Sequence, residues 1–261
     1  MSDPITSTHN PRIRALRKLR ERRQREGEGL FMAEGEDMLA AALAHGAAPR
    51  TVFSVPDPPP GLAELLAGLP RRTERVTASA DALAAAGSLG SGSRVIGVWD
   101  LPEWPSLHEP GRRLGDDRPS LYLHDVADPG NVGTVVRAAQ AFGADRVLLS
   151  PRTADPFGPK AVRASMGAVF GQPLSRADFG TARAGRRAIA LVPGAGRALR
   201  EVVVEGPVLF ALGAERAGLP DEVVSACDDV AHIRVDREAA DSLNVAMAAT
   251  LCLYEYRASH A

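Results

Sequence analysis

The sequence predicts a two-part α/β chain: a small N-terminal α/β module, then a larger one built on a mostly parallel sheet with helices on both faces. Three observations lead there. Short apolar runs alternate with helical stretches through the second half, the strand–helix–strand rhythm of parallel pairing. A stretch dense in proline, glycine and charge, from Pro102 to Pro119, carries no periodicity and reads as an interdomain linker. The length of 261 residues suffices for two modest domains, each able to bury a core. The expected division is therefore residues 1–101, a linker over 102–119, and residues 120–261.

Composition narrows the class. With 45% hydrophobic and 24% charged residues the chain is neither disordered nor fibrous. Two cysteines, Cys227 and Cys252, cannot make a disulfide framework and point to a reducing compartment. The six histidines show no ligand spacing, so no metal is expected. No run of 18 apolar residues and no signal-peptide order occurs, so the expected setting is the cytoplasm, away from membranes.

The net charge of −1 argues at first against a nucleic-acid partner, but it hides an asymmetry. Residues 1–26 carry eight basic against three acidic side chains, a local +5, leaving −6 for the rest. Ile13, Leu16 and Leu19 keep a three-residue apolar rhythm, which predicts a helix. Arg12, Arg14, Arg17, Lys18, Arg20, Arg22 and Arg23 then form a stripe that can seat an RNA backbone, or simply a solvated helix face. Next come a helix at Glu36–Ala44, a strand at Thr51–Val55, a helix at Asp81–Ala86 and a strand at Arg94–Trp99. Past the linker, strands are expected at Leu121–Val126, Arg146–Ser150, Arg187–Val192, Val208–Leu212 and Val230–Val235.

Ligands of open parallel sheets sit beyond the carboxyl ends of the strands, and three unusual stretches lie there. In the first, residues 125–147, Pro129-Gly130 turns the chain, Asn131 is placed as a helix cap, and Val132, Val135, Val136, Ala139 and Phe142 form an apolar stripe. Gly133 and Arg137, four apart, share a second face. An asparagine and an arginine at a helix start can hold a phosphate or a ribose hydroxyl, though a capped helix with a surface arginine reads the same way. In the second, residues 208–220, a strand runs into Gly213, Glu215 and Gly218, where a carboxylate is held between glycines. In the third, residues 232–257, Ser242 is placed as a cap and Asn244 one turn into a helix that is apolar almost all round.

Together these stretches resemble the SpoU family of RNA ribose 2′-O-methyltransferases, within the SPOUT superfamily. The match rests on Asn131, Gly133 and Arg137, on L-G-x-E-x-x-G-L from Leu212 to Leu219, and on S-L-N-V from Ser242 to Val245. Upstream, residues 5–35 resemble the family's N-terminal substrate-binding module. The resemblance implies a C-terminal domain threaded into a trefoil knot, an exception to the usual avoidance of threaded loops. It implies S-adenosylmethionine as cofactor, with Gly213, Ile233, Leu243 and Ser242 at its site, and a homodimer formed through the methyltransferase domain. Arg137 is then expected to grip the phosphate beside the target ribose, with Asn131, Glu215, Ser242 and Asn244 orienting it. Ribosomal RNA is the expected substrate, with transfer RNA, or a non-catalytic RNA-binding role, as alternatives. A dinucleotide site at Gly194-Ala195-Gly196 is excluded, since Leu199 stands where the third glycine belongs. Two departures from the family pattern are Arg234, where proline is usual, and residues 91–99.

Overall fold

Residues 3–88, 92–104, 118–202, 206–236 and 242–260 are described by the computed structural model of the chain, which divides into two units. The first contains α1 (Pro11–Lys18), α2 (Arg22–Glu28), β1 (Leu30–Glu34), α3 (Glu36–Ala44), β2 (Thr51–Ser54), α4 (Pro60–Ala67), β3 (Glu74–Thr77), α5 (Ala80–Ala86) and β4 (Val95–Asp100). Its sheet runs β1-β4-β2-β3, antiparallel except for the parallel β2–β3 pair. Asn10 caps α1 by accepting from the Arg12 amide, and Pro11 presets the first helical turn. The three-residue rhythm is realised: Ile13, Leu16 and Leu19 enter the core beside Met32, Phe53, Leu83 and Ile96, while Arg14, Arg17 and Lys18 face out. Strands β1 and β3 are additions to the sequence reading. The first lacks β-branched residues, and the second is a charged edge strand, so neither carries the usual apolar signal.

The second unit begins with β5 (Ser120–Leu123), α6 (Pro129–Ala141) and β6 (Val147–Leu149). Most of the expected linker, residues 105–117, lies outside the described residues. The following helix, α7 (Pro159–Ala164), belongs to the first unit, as does the whole segment Asp155–Gly171. The second unit resumes with β7 (Leu174–Arg176), α8 (Phe179–Arg183), β8 (Arg187–Leu191), β9 (Arg197–Ala198), β10 (Val208–Leu212), α9 (Asp221–Ser225), β11 (Asp229–His232) and α10 (Val245–Ser259). Its sheet is seven-stranded and parallel throughout, in the order β7-β6-β5-β10-β8-β11-β9. Every residue of β5, β6 and β10 is buried, as a sheet covered on both faces requires. Leu209 and Ala211 pack with Phe179, Ala182 and Val223 of α8 and α9, while Phe210, on the opposite face, meets Tyr256 of α10 edge-on.

Two expected caps are corrected. Asp128, not Asn131, caps α6, accepting from the Asn131 amide at 3.0 Å, because Pro129 takes the first helical position and pushes Asn131 one turn in. Asn244, not Ser242, caps α10, accepting from the Ala246 amide at 2.9 Å.

Within the first unit Arg25, counted in the local +5 of residues 1–26, turns inward. It is 3% exposed, donates to the Leu19 and Arg20 carbonyls, and pairs with Asp155. Nearby, Phe31, Trp99, Phe157 and Phe170 form one aromatic cluster, so the segment around α7 completes this unit's core. Asp155→Ala strands the Arg25 charge and is expected to cost about 3–5 kcal/mol in urea unfolding, with most of the loss recovered when Arg25 is also replaced by Met. A loss under about 1 kcal/mol would show that water already screens the pair.

Candidate functional site

Because β10 lies between β5 and β8, and β11 lies beside β8, the loops leaving these four strands emerge together at one end of the sheet. Asn131, one turn into α6, sits at their meeting point. Its side-chain amide donates to Glu215 Oε1 at 2.6 Å, and its oxygen accepts from the Asn244 amide at 3.0 Å. Asn244 in turn accepts from the Ala246 backbone amide. The polarity of this chain is fixed at both ends, by a carboxylate that only accepts and a backbone N–H that only donates. Two stretches, 84 and 113 positions from Asn131, are thereby tied to its own in one constellation. An open depression lies over it, where Asp128, Asn131, Glu215, Arg216 and Asn244 share the lining with Ala127, Ala214 and Ala217. Arg216, exposed there, was not singled out in the sequence, since nothing but its neighbour Glu215 marks it.

A second, apolar-walled cleft of about 310 Å³ opens beside the ends of β8 and β11. Its lining includes Val192, Gly194, Ile233, Arg234, Ser242 and Leu243. Three of the four residues expected at the cofactor site thus share one cavity. The fourth, Gly213, serves its own loop: Ala214 and Gly218 form a β-bridge, and a Cβ at Gly213 would collide with the Gly218 backbone. The contribution of Leu191–Gly194 was missed by the sequence reading, which weighed these glycines only for a dinucleotide fingerprint. The readable signal was a strand running into Pro193-Gly194, where Gly194 takes φ of 69°. The cleft suits S-adenosylmethionine in kind: its size is at the lower end of small-molecule pockets, and its apolar side chains and loop backbone match the faces and edges of a purine.

Arg137 is exposed on α6 and makes no hydrogen bond or ion pair among the described residues, whereas Gly133, one turn before it, is buried. At the end of β5, Asp125 adopts a left-handed backbone, φ 55°, which an aspartate tolerates. Burial pushes its carboxyl upward, but the Ser150 hydroxyl and the Arg152 guanidinium outweigh this and hold it below the ordinary carboxylate range. The strained turn is thus pinned directly ahead of α6.

The basic stripe sorts into two sets. Arg20 donates to the Ala85 and Ala86 carbonyls at the end of α5, Arg12 pairs with Glu74 at 2.7 Å, and Arg22 with Glu26 at 2.7 Å. Arg14, Arg17, Lys18 and Arg23 are exposed and make no ion pair among the described residues.

Comparison with known proteins agrees with this geometry. The profile of the SpoU rRNA Methylase family matches residues 118–254, and that of the MRM3-like substrate binding domain matches residues 10–89. The chain is similar to the 23S rRNA (guanosine(2553)-2′-O)-methyltransferase of Bacillus subtilis, 26% identical over 97% of this chain and 98% of the relative. It is also similar to the 23S rRNA (uridine(2479)-2′-O)-methyltransferase of Streptomyces viridochromogenes, 31% identical over 92% and 86%. Among solved structures, the AdoMet-bound rRNA methyltransferase from Sinorhizobium meliloti superposes with a TM-score of 0.86, at 29% identity, covering 98% of both chains. The constellation around Asn131, the cleft beside it and a family match over more than half its length agree: the chain belongs to the SpoU rRNA methylase family.

Proposed function

We propose that this chain transfers a methyl group from S-adenosylmethionine to the 2′-hydroxyl of a ribose in ribosomal RNA. The observation that carries this reading is the bonding of Asn131 to both Glu215 and Asn244 next to the cleft that Ile233, Ser242 and Leu243 line. The relatives named for 23S rRNA and the AdoMet-bound neighbour support the substrate and the cofactor. When bound, S-adenosylmethionine supplies a methyl group already activated by its positive sulfur.

The protein's task is then alignment and charge management. Holding the 2′-oxygen in line is worth ~7–11 kcal/mol. Arg137 grips the phosphate next to the target ribose; a guanidinium with pKa above ~12 is a poor base, so it positions the substrate and stabilises charge while the phosphate or a water takes the proton. Glu215, Asn131 and Asn244 hold the loops in register around it, and Ser242, Leu243, Ile233 and the Gly213 loop frame the cofactor. Residues 1–101 bind RNA through Arg14, Arg17, Lys18 and Arg23, and residues 120–261, apart from the segment 155–171 that packs with the first unit, form the knotted methyltransferase domain. Among the described residues no helix is long and apolar enough to cross a membrane, and the reading places the enzyme in the cytoplasm with its RNA. On α10, Met247, Leu251 and Tyr254 are exposed at spacings of four and three, one apolar face suited to a second copy of the chain.

Incubated with labelled S-adenosylmethionine and total RNA from a strain lacking the gene, the protein is expected to label ribosomal RNA at a ribose 2′-oxygen. Label in a base would refute the reaction, and label confined to transfer RNA would refute the substrate. Arg137→Ala is expected to cut the rate by about 10²–10³ with cofactor affinity retained, the scale of losing one charge-stabilising donor; wild-type turnover in that variant removes Arg137 from its role. Sedimentation of Leu251→Glu is expected to show a monomer where the parent is a dimer, and an unchanged dimer would move the interface off α10.

A further inference from the structure

The first unit holds a cleft of its own, about 360 Å³, between α1, α2 and one face of the mixed sheet. Its floor follows a single row of residues. Val98 of β4 is in register with Thr51 of β2, which is in register with Glu74 of β3, and Phe53 lies two positions along the same face. The floor is therefore apolar on one side, where Phe53 and Val98 show only their edges beside Leu16 and Leu19, and carries a carboxylate on the other. That carboxylate is occupied, since Glu74 accepts from Arg12 at 2.7 Å and from the Thr51 hydroxyl at 3.2 Å.

The α2 wall differs. Gln24 and Glu28 are four residues apart and so share one helix face, and both line the cleft. Neither side chain makes a hydrogen bond or ion pair among the described residues, whereas Glu26, between them on another face, is paired with Arg22. The rim is basic: Lys18 and Arg12 line it, and Arg14 and Arg17 are exposed on the same short helix.

A cavity with an apolar floor, a free carboxylate and amide on one wall and cations at its mouth selects a ligand of matching parts. The ligand needs a flat apolar body, N–H donors on one edge, and negative charge that stays outside. An unstacked nucleobase on its sugar–phosphate chain has all three. Two carboxylate oxygens are best met by two adjacent donors, and of the four RNA bases only guanine offers them on its Watson–Crick edge, N1–H and the N2 amino group, next to an O6 acceptor. We propose that this cleft takes one unpaired guanine of the RNA, with Glu28 accepting from N1–H and N2–H, the Gln24 amide donating to O6, Phe53 and Val98 beneath the ring, and Lys18 on the flanking phosphate. The proposal rests on the reading of the chain as RNA-binding and adds a sequence preference located outside the methyltransferase site.

The test is fluorescence anisotropy of the full chain with labelled RNA heptamers of uridine, with a central guanosine, and with a central inosine, which keeps N1–H and O6 but lacks the amino group. The guanosine heptamer is expected to bind about tenfold or more tighter than all-uridine, the scale of one bidentate base contact, with inosine between them. Glu28→Gln is expected to erase the preference, and Glu26→Gln to keep it. Equal affinity for the three heptamers, no binding of any, or a preference that survives Glu28→Gln overturns the proposal. Methyl transfer to ribosomal RNA is measured alongside: transfer without guanosine preference removes the cleft's role and leaves the enzyme, while preference without transfer does the reverse.

Discussion

The second unit depends on the terminal amide of Asn131. A carboxylate in its place could not donate to Glu215, and a hydroxyl would lack the reach to serve two partners on separate loops; an amide offers a donor and an acceptor side by side. Its placement is set by the backbone before it. Asp125 is held in a left-handed turn by Ser150 and Arg152, Asp128 caps α6, and Pro129 starts the helix, so Asn131 arrives with its side chain toward the neighbouring loops. Asn244 gives up its own oxygen to cap α10 and spends its amide on Asn131. The starts of two helices and the end of β10 are thus locked by a single relay, and the parallel strand order is what brings them within its reach.

Arginine has two opposite uses in this chain, and partners distinguish them. Arg146 is fully buried against Asp145 at 3.0 Å, Arg25 is buried against Asp155, and Arg187 and Arg197 share Asp229, whose carboxyl they hold low against the opposing push of burial. Arg146 and Arg25 are internal struts, costly to desolvate and tolerable only because each is paired, whereas Arg187 and Arg197 reach Asp229 from partly exposed positions. Arg137, Arg14 and Arg17 are exposed and make no pair among the described residues, which leaves them available to an anion. Charge counted along the sequence mixes the two kinds: Arg20 and Arg25 contribute to the local +5 of residues 1–26 yet point into protein.

Much of this was legible beforehand, for identifiable reasons. The buried strand at Val208–Leu212 and the helix at Glu36–Ala44 keep their expected bounds because each is an uninterrupted run closed by glycine or a turn. The motif residues Asn131, Glu215 and Asn244 were readable because their three stretches together, in order and spacing, resemble the SpoU pattern, whereas a helix cap or a turn explains Asn131 or Glu215 taken alone. The two caps were misplaced because the cap is decided by the residue where the helix begins, and Pro129 in one case and an irregular Ser242-Leu243 in the other shifted that point. The attachment of residues 155–171 to the first unit rests on pairs such as Arg25 with Asp155, 130 positions apart, which no local pattern reports.

The central claim is that Glu215 and Asn244, each hydrogen-bonded to Asn131, act as one unit through it. A double-mutant cycle of Glu215→Ala and Asn244→Ala, read as the free energy of urea unfolding and run in both the parent and an Asn131→Ala background, tests it most directly. The account requires a coupling of about 0.5–3 kcal/mol in the parent that vanishes when Asn131 is removed. Additive effects in the parent, or a coupling that persists without Asn131, would contradict it.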